Sequence, residues 1–190
     1  MKRRPFLRWL TLATGLPALP ARAAADAALL AQLRRGGNVI LMRHAATVPG
    51  IGDPDGFLLD RCGTQRNLSA AGRQDAARIG AAFVRLGVPV GAVLSSRWCR
   101  CLDTARLAFG RVDAAPMLDS MFADDTDATA RKLRETRHWM EQERSAANVV
   151  MVTHDVNIRA LTAQYLRPGE MVVARVAAGG ALRVLGVWTV

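Results

Sequence analysis

Two histidines and two arginines stand where short apolar runs of this 190-residue chain end. Val39-Ile40-Leu41-Met42 runs into Arg43-His44, Val93-Leu94-Ser95-Ser96 into Arg97-Trp98-Cys99-Arg100, and Val149-Val150-Met151-Val152-Thr153 into His154-Asp155. A guanidinium offers a planar fork of N–H donors that matches the oxygens of a phosphate. An imidazole that is neutral near pH 7 offers a nitrogen lone pair able to attack phosphorus. Phosphoryl transfer asks for charge balance on the phosphate and for an attacking atom held in line. Arg43 and Arg100 would supply the first, His44 the second, and His154 a further donor; no metal or other cofactor is required, because the arginines take the electrostatic role. An Arg-His pair by itself is common, so the signal is the shared position after an apolar run. The chain holds only three histidines and two of them fall at these positions; His138 lies in a polar stretch and is expected to face solvent.

The elements that must position these residues follow from periodicity. Asn38 to Ala45 reads as a strand buried on both faces, and Val90 to Ser95 and Asn148 to Thr153 as the second and third strands. Thr47 to Arg66, rich in Gly, Pro and Asp, reads as a long loop over the site. Ser69 caps a helix carrying Ala76, Ile79, Gly80, Phe83 and Val84 on one face, which Gly87-Val88-Pro89 ends. A second helix carries Arg100 through Leu107, a third runs from Asp127 to Arg144 with Leu133, Trp139 and Met140 turned inward, and a fourth from Val156 to Leu166. Further strands are expected around Glu170 to Val176 and Ala181 to Val190 about a Gly179-Gly180 turn. Gly110 to Thr126 has no regular pattern, and Ala21 to Ala31 is an alanine-rich join. Strands alternating with helices predict an α/β fold: a three-layer α/β/α sandwich around a mainly parallel sheet. In such sheets, residues at the carboxyl ends of the strands meet in one crevice.

With these segments in place, the chain resembles the histidine phosphatase superfamily, which includes phosphoglycerate mutases and acid phosphatases. Arg43-His44, with Ala45 for glycine, matches its Arg-His-Gly opening and is followed by Thr47. Ser95-Ser96-Arg97-Trp98-Cys99-Arg100-Cys101-Leu102-Asp103-Thr104-Ala105 matches Ser-Ser-Pro-x-x-Arg-Ala-x-x-Thr-Ala, with Arg97 in the place of proline and expected at the rim. Asn67-Leu68-Ser69-Ala70-Ala71-Gly72 is similar to its Leu-Ser/Thr-x-x-Gly helix start, and Thr153-His154 to its last motif. The resemblance implies a phosphoglycerate mutase-like fold and a phosphatase that acts through a phosphohistidine on His44, with phosphate held by Arg43, Arg100, His154 and Thr47. The proton for the leaving group would come from Asp155, in a His-Asp-x-Asn segment like that of the acid phosphatase branch, or from Asp119, Asp124 or Asp125, as in the mutase-like branch. Asp155 and Asp124 lead. The alternative is a non-catalytic phosphate- or phosphosugar-binding module of the same fold.

Lys2, Arg3, Arg4 and Arg8, an apolar run from Trp9 to Pro20 and Ala21-Arg22-Ala23 read as a signal peptide over residues 1–23, of the general or the twin-arginine kind. Residues 24–190 would then form one domain in the periplasm or outside the cell. The net charge of +10 falls to +5 without the five basic leader residues. That is too mild to suggest nucleic acid, and no integral membrane segment is expected after cleavage. The partner implied is a phosphorylated substrate, either a small ester or a phosphate on a glycolipid or protein, in a fairly open pocket. Cys62, Cys99 and Cys101 leave at least one thiol unpaired; a bridge from Cys62 to either of the others and three free thiols both fit the spacing.

Overall fold

The computed structural model describes residues 21–143 and 145–190, so the leader expected over residues 1–23 lies almost wholly outside the described residues. The strands are β1 (Val39–Arg43), β2 (Val90–Ser95), β3 (Asp113–Ala114), β4 (Asn148–Thr153), β5 (Met171–Val176) and β6 (Leu182–Trp188). They form one sheet in the order β3-β2-β4-β1-β5-β6. β3, β2, β4 and β1 are parallel neighbours, whereas β5 runs antiparallel to both β1 and β6. The helices are α1 (Ala21–Arg35), α2 (Ala70–Arg85), α3 (Cys99–Phe109), α4 (Thr126–Gln142) and α5 (Asp155–Thr162).

Alternation along the strands sorts the core into two layers. Ile40, Met42, Val150, Val152 and Val173 pack with Leu29 and Leu33 of α1, Ile79 and Phe83 of α2, and Cys101 and Ala105 of α3. Val39, Leu41, Val149, Met151 and Val172 pack on the other side with Met140 of α4 and Ile158 of α5. The chain is therefore the expected three-layer sandwich. Because both faces of β1 and β4 are covered, every residue of β4 is buried, as are the first four of β1.

Two elements were not expected. α1 occupies the alanine-rich join: its leucines Leu29 and Leu33 are spaced one helical turn apart and buried in the core, while the alanines around them are exposed. β3 is a two-residue edge strand in the segment without a regular pattern, paired with Leu94 and Ser95. α5 stops four residues earlier than predicted, where Ala163 takes a left-handed backbone (φ 57°). Of the residues expected to turn inward from α4, Met140 is buried, Leu133 and Trp139 are half-buried, and Thr136 completes the inner face.

The contact between α2 and the chain after β1 explains one motif. Ser69 Oγ accepts the Gly72 N–H at 3.0 Å, capping α2, while its own N–H donates to Ala46 O at 3.0 Å. Gly72 then lies so near Ala46 that a Cβ there would fall 1.9 Å from the Ala46 carbonyl oxygen. Leu68 bridges to Thr47. The Leu68-Ser69-x-x-Gly72 pattern is thus the seat of the strand end that carries Arg43 and His44.

Candidate active site

The register of the sheet brings the three strand ends together. Arg43 lies opposite Thr153, and Ser95 opposite Val152. His44 N–H donates to Thr153 O, and Ser96 N–H to Val152 O, both at 3.0 Å. Because β4 lies between β2 and β1, His154 emerges between the other two segments, and its ring centroid is 5.5 Å from that of His44. Arg43, His44, Arg100, His154, Asp155 and Asp124 all line one cavity of about 820 Å³. Thr47 is not among its lining residues. Its backbone pairs with Leu68, which turns the strand end rather than placing the hydroxyl at a phosphate. Arg43 keeps 28% of its side chain in solvent while His44 is only 5% exposed, so the pocket is open at the arginine and narrow at the histidine.

His44 is oriented by its own chain. Nδ1 lies 2.8 Å from Ala45 O, a contact that requires the ring proton on Nδ1 and leaves the Nε2 lone pair unprotonated. Ala45 N–H is held by Thr104 Oγ1 at 3.0 Å, and Thr104 in turn donates to Arg100 O. The methyl of Ala45 is fully buried against Leu68 and Ala76, and its backbone is not in the left-handed region, so alanine is accommodated where the Arg-His-Gly pattern it resembles has glycine. Burial, together with the cationic Arg100, Arg43 and Arg66 and against the bond to Ala45, lowers the His44 pKa to about 3. Burial likewise pushes His154 well below its ordinary 6.5, helped by His44 and by the cationic Arg100 and Arg43. Both rings are neutral at physiological pH. Ser96 Oγ lies 2.9 Å from His154 Nε2, which leaves Nδ1 for a substrate.

Arg100 is fixed from the loop. Its NH1 and NH2 donate to the two oxygens of Asp53, at 2.7 and 3.1 Å, and both side chains are almost fully buried. Asp53 also accepts Trp98 Nε1–H and the Arg66 N–H, each at 2.9 Å. Burial alone would raise the Asp53 carboxyl, but these donors together carry it below the usual carboxylate range. With the end of the fork taken by Asp53, the Nε edge of Arg100 is the one left for a ligand. Arg100 Nε, Arg43 Nε and Arg66 Nε are all buried and without a hydrogen-bond partner. Burial and the nearby Arg100 depress the Arg66 guanidinium, with Asp53 opposing.

Arg66 and Asp53 are site residues that the sequence reading passed over. Both lie in a stretch read only as a loop, and their signal is the adjacency of Arg66 to the Asn67-Leu68-Ser69 motif. That loop is also bonded to α3 by a Cys62–Cys99 disulfide, which decides the pairing left open by the spacing, and Cys101 remains a free, buried thiol. Burial raises that thiol to about 12, so it is inert despite lying 3.5 Å from His154 Nε2. Trp98 gives α3 no side-chain cap; Gln65 Oε1 accepts the Cys99 N–H instead, at 2.9 Å.

The carboxylates separate by their partners. Asp119 is buried and bound by Arg97 through Nε, NH2 and the backbone N–H, while the Arg97 side chain itself is half-exposed at the edge of the cavity, the rim position expected of it. Asp125 is exposed and caps α4 by accepting the Ala128 N–H. Asp124 is paired with Lys132 Nζ at 2.7 Å. Asp155 starts α5 directly after His154, accepts the Leu166 N–H at 3.2 Å and lies 4.0 Å from Arg43 NH1. His138 is exposed on α4, away from the cavity. Among the described residues, no group of three or more His, Cys, Asp or Glu is arranged to hold a metal ion.

The sequence matches no protein-family model and no curated protein. Solved structures do match. The protein histidine phosphatase SixA, solved with tungstate, superposes with a TM-score of 0.54 at 14% identity, over 80% of this chain and 96% of that one. YhfR from Bacillus stearothermophilus gives 0.60 at 17% identity, over 77% and 94%. Phosphoglycerate mutase from Thermus thermophilus gives 0.56 at 19% identity, over 80% and 99%. The sheet order, the placing of the helices and these superpositions agree that this chain has a phosphoglycerate mutase-like fold.

Proposed function

We propose that the chain is a phosphatase that hydrolyses a phosphomonoester through a phosphohistidine on His44. The observation that carries this reading is the set of three buried, unpartnered arginine Nε–H donors around a neutral histidine whose Nδ1 is committed to a carbonyl. Such donors are costly to leave unpaired inside a protein, and a phosphate dianion pairs them. Arg43 and Arg100 hold the phosphate oxygens, Arg66 joins them, and His154 donates from its Nδ1. His44 Nε2 attacks phosphorus: an N–P bond forms, the ester P–O bond breaks, and its electron pair leaves on the alcohol oxygen. Asp155 gives that oxygen a proton, since Asp119 is bound by Arg97, Asp124 by Lys132, and Asp125 lies on the surface. Asp155 then takes a proton from water as the water oxygen bonds to phosphorus and the N–P bond breaks. Inorganic phosphate and the resting enzyme result. We place this activity in the periplasm or outside the cell, on the strength of the leader in the sequence; the disulfide supports an oxidising compartment.

Release of phosphate from an aryl phosphate in the presence of chelator, for wild type and His44→Ala, tests the reading. Turnover lost in His44→Ala, with label from a ³²P-ester trapped on wild-type histidine, is the expected result. Phosphate binding without turnover on any ester would replace the enzyme by the non-catalytic binding module.

A further inference from the structure

The cavity is far larger than a phosphate. At about 820 Å³ it lies within the ~300–1,000 Å³ range of pockets that enclose drug-sized molecules, so its walls must be shaped for the alcohol that leaves. Those walls are poor in the neutral polar groups that read hydroxyls. None of the lining side chains is Asn, Gln, Thr or Tyr, and Ser120 supplies the only hydroxyl, which already accepts the Phe122 N–H. Of the five lining carboxylates, Asp53, Asp119 and Asp124 are paired with Arg100, Arg97 and Lys132, and Asp155 accepts the Leu166 N–H with one oxygen and keeps the other for the ester oxygen; Glu135 and Arg131 of α4 line the cavity from an exposed position. A site for a sugar needs convergent free donors and acceptors, because each sugar hydroxyl removed from water unpaired is a penalty.

Away from the charged face of α4, what the walls offer is carbon. Ile51, Phe57 and Leu59 line the cavity from the loop side, and Phe122 and Pro116 from the segment before α4. Ile51 is 94% exposed and Phe122 69% exposed, so both leave apolar surface in water at the mouth. The loop side is built rather than loose: Phe57 packs on Trp98 at 5.8 Å, Asp53 binds Trp98 and Arg100, and the disulfide closes the far end. The cationic floor passes directly into this apolar wall. That is the complement of an anionic head on a hydrocarbon.

Resting on the phosphatase reading, we infer that the leaving group is apolar, so that the substrate is an amphiphilic phosphomonoester whose alkyl or aryl part lies between Ile51 and Phe122. The same chemistry is offered by a free ester and by a phosphate head at a lipid surface.

A series of n-alkyl phosphates from ethyl to octyl, kept below aggregation and set beside glucose 6-phosphate, tests this with two readouts. One is phosphate released by the wild-type chain; the other is calorimetric binding of the same esters to His44→Ala protein. Both should strengthen by about two- to fourfold per added methylene, which is the free energy of burying a methylene wholly or in part expressed as a ratio. The length dependence should flatten in Ile51→Ser and again in Phe122→Ser, a ratio taken within each protein and so independent of its total activity. Release that ignores chain length, or that favours glucose 6-phosphate, overturns the inference and leaves the phosphatase standing. Length-dependent binding with no release upholds the apolar recognition and removes the phosphatase. Phosphatidic acid in phosphatidylcholine vesicles separates the two sources: faster release than from octyl phosphate assigns the hydrocarbon to a bilayer, slower release to a free ester, and either agrees with an apolar leaving group.

Discussion

His44 and His154 owe their neutrality to burial first and to neighbouring cations second, and this fixes the sign of a pH effect. In the unfolded chain both titrate near 6.5. Between about pH 6.5 and 3 the unfolded chain therefore binds more protons than the folded one. Their contribution to stability is full above pH 6.5 and is lost as the pH falls below it, for His44 down to about 3. Urea unfolding at pH 7 and pH 5 should show this loss, and His44→Asn should reduce the difference between the two. Imidazole NMR signals of the free protein should show no protonation of His44 between pH 8 and 5. At Arg100, the buried fork divides between Asp53 and the ligand. Arg100→Ala should lower kcat/KM by about 10²–10³, the usual loss for one preorganised donor. Asp53→Asn removes no ligand contact but frees the fork to rotate, so steady-state kinetics should show KM raised more than kcat is lowered; equal falls in both would place Asp53 in the chemical step.

The elements that seat these residues are joined at two tight places. The first is α2 against the turn after β1, where Gly72 meets the Ala46 carbonyl. Gly72→Ala must push helix and turn apart, and a loss of about 1–3 kcal/mol in urea unfolding is expected, with activity falling alongside because His44 rides on that turn. The second is the 47–66 loop against the first turn of α3. A disulfide, the Gln65 cap and Asp53 all cross this seam beside Arg100. Opening the Cys62–Cys99 link with dithiothreitol should lower the melting temperature, by an amount corresponding to about 2–4 kcal/mol at most. It should also weaken inorganic phosphate binding measured by calorimetry; unchanged phosphate affinity would confine the bridge to stability.

At the scale of the molecule, two layers of helices bury one sheet, and α1 closes the layer that covers Phe83 and Trp188. The leucines Leu29 and Leu33 that do this lie beyond residue 23, so cleavage at Ala21-Arg22-Ala23 leaves them in place. The expected result of expressing the whole chain in a bacterium is a protein recovered from the periplasm whose first residue is Ala24, read by amino-terminal sequencing. Recovery from the cytoplasm with residues 1–23 attached would remove the export proposal.

The sequence by itself determined five of the six strands, most of the helices and the four residues at or after the strand ends. These are local properties: apolar runs buried on both faces, the cap at Ser69, and charges where a strand must stop. α1 escaped because alanine is apolar on every side and marks no face, so only its two leucines met the core. Asp53 and Arg66 escaped for a different reason: a loop has no period, and what a residue in it touches is decided by the chain it folds over. The same holds for the surroundings of Asp119, Asp124, Asp125 and Asp155. Four identical carboxyls are told apart only by the arginine, the lysine, the helix end and the connection before β5 that tertiary packing sets beside each. The pairing of Cys62 with Cys99 rather than Cys101 belongs with these. Cys99 on α3 faces the loop and Cys101 faces the core, a difference of direction that spacing leaves open and three-dimensional structure decides.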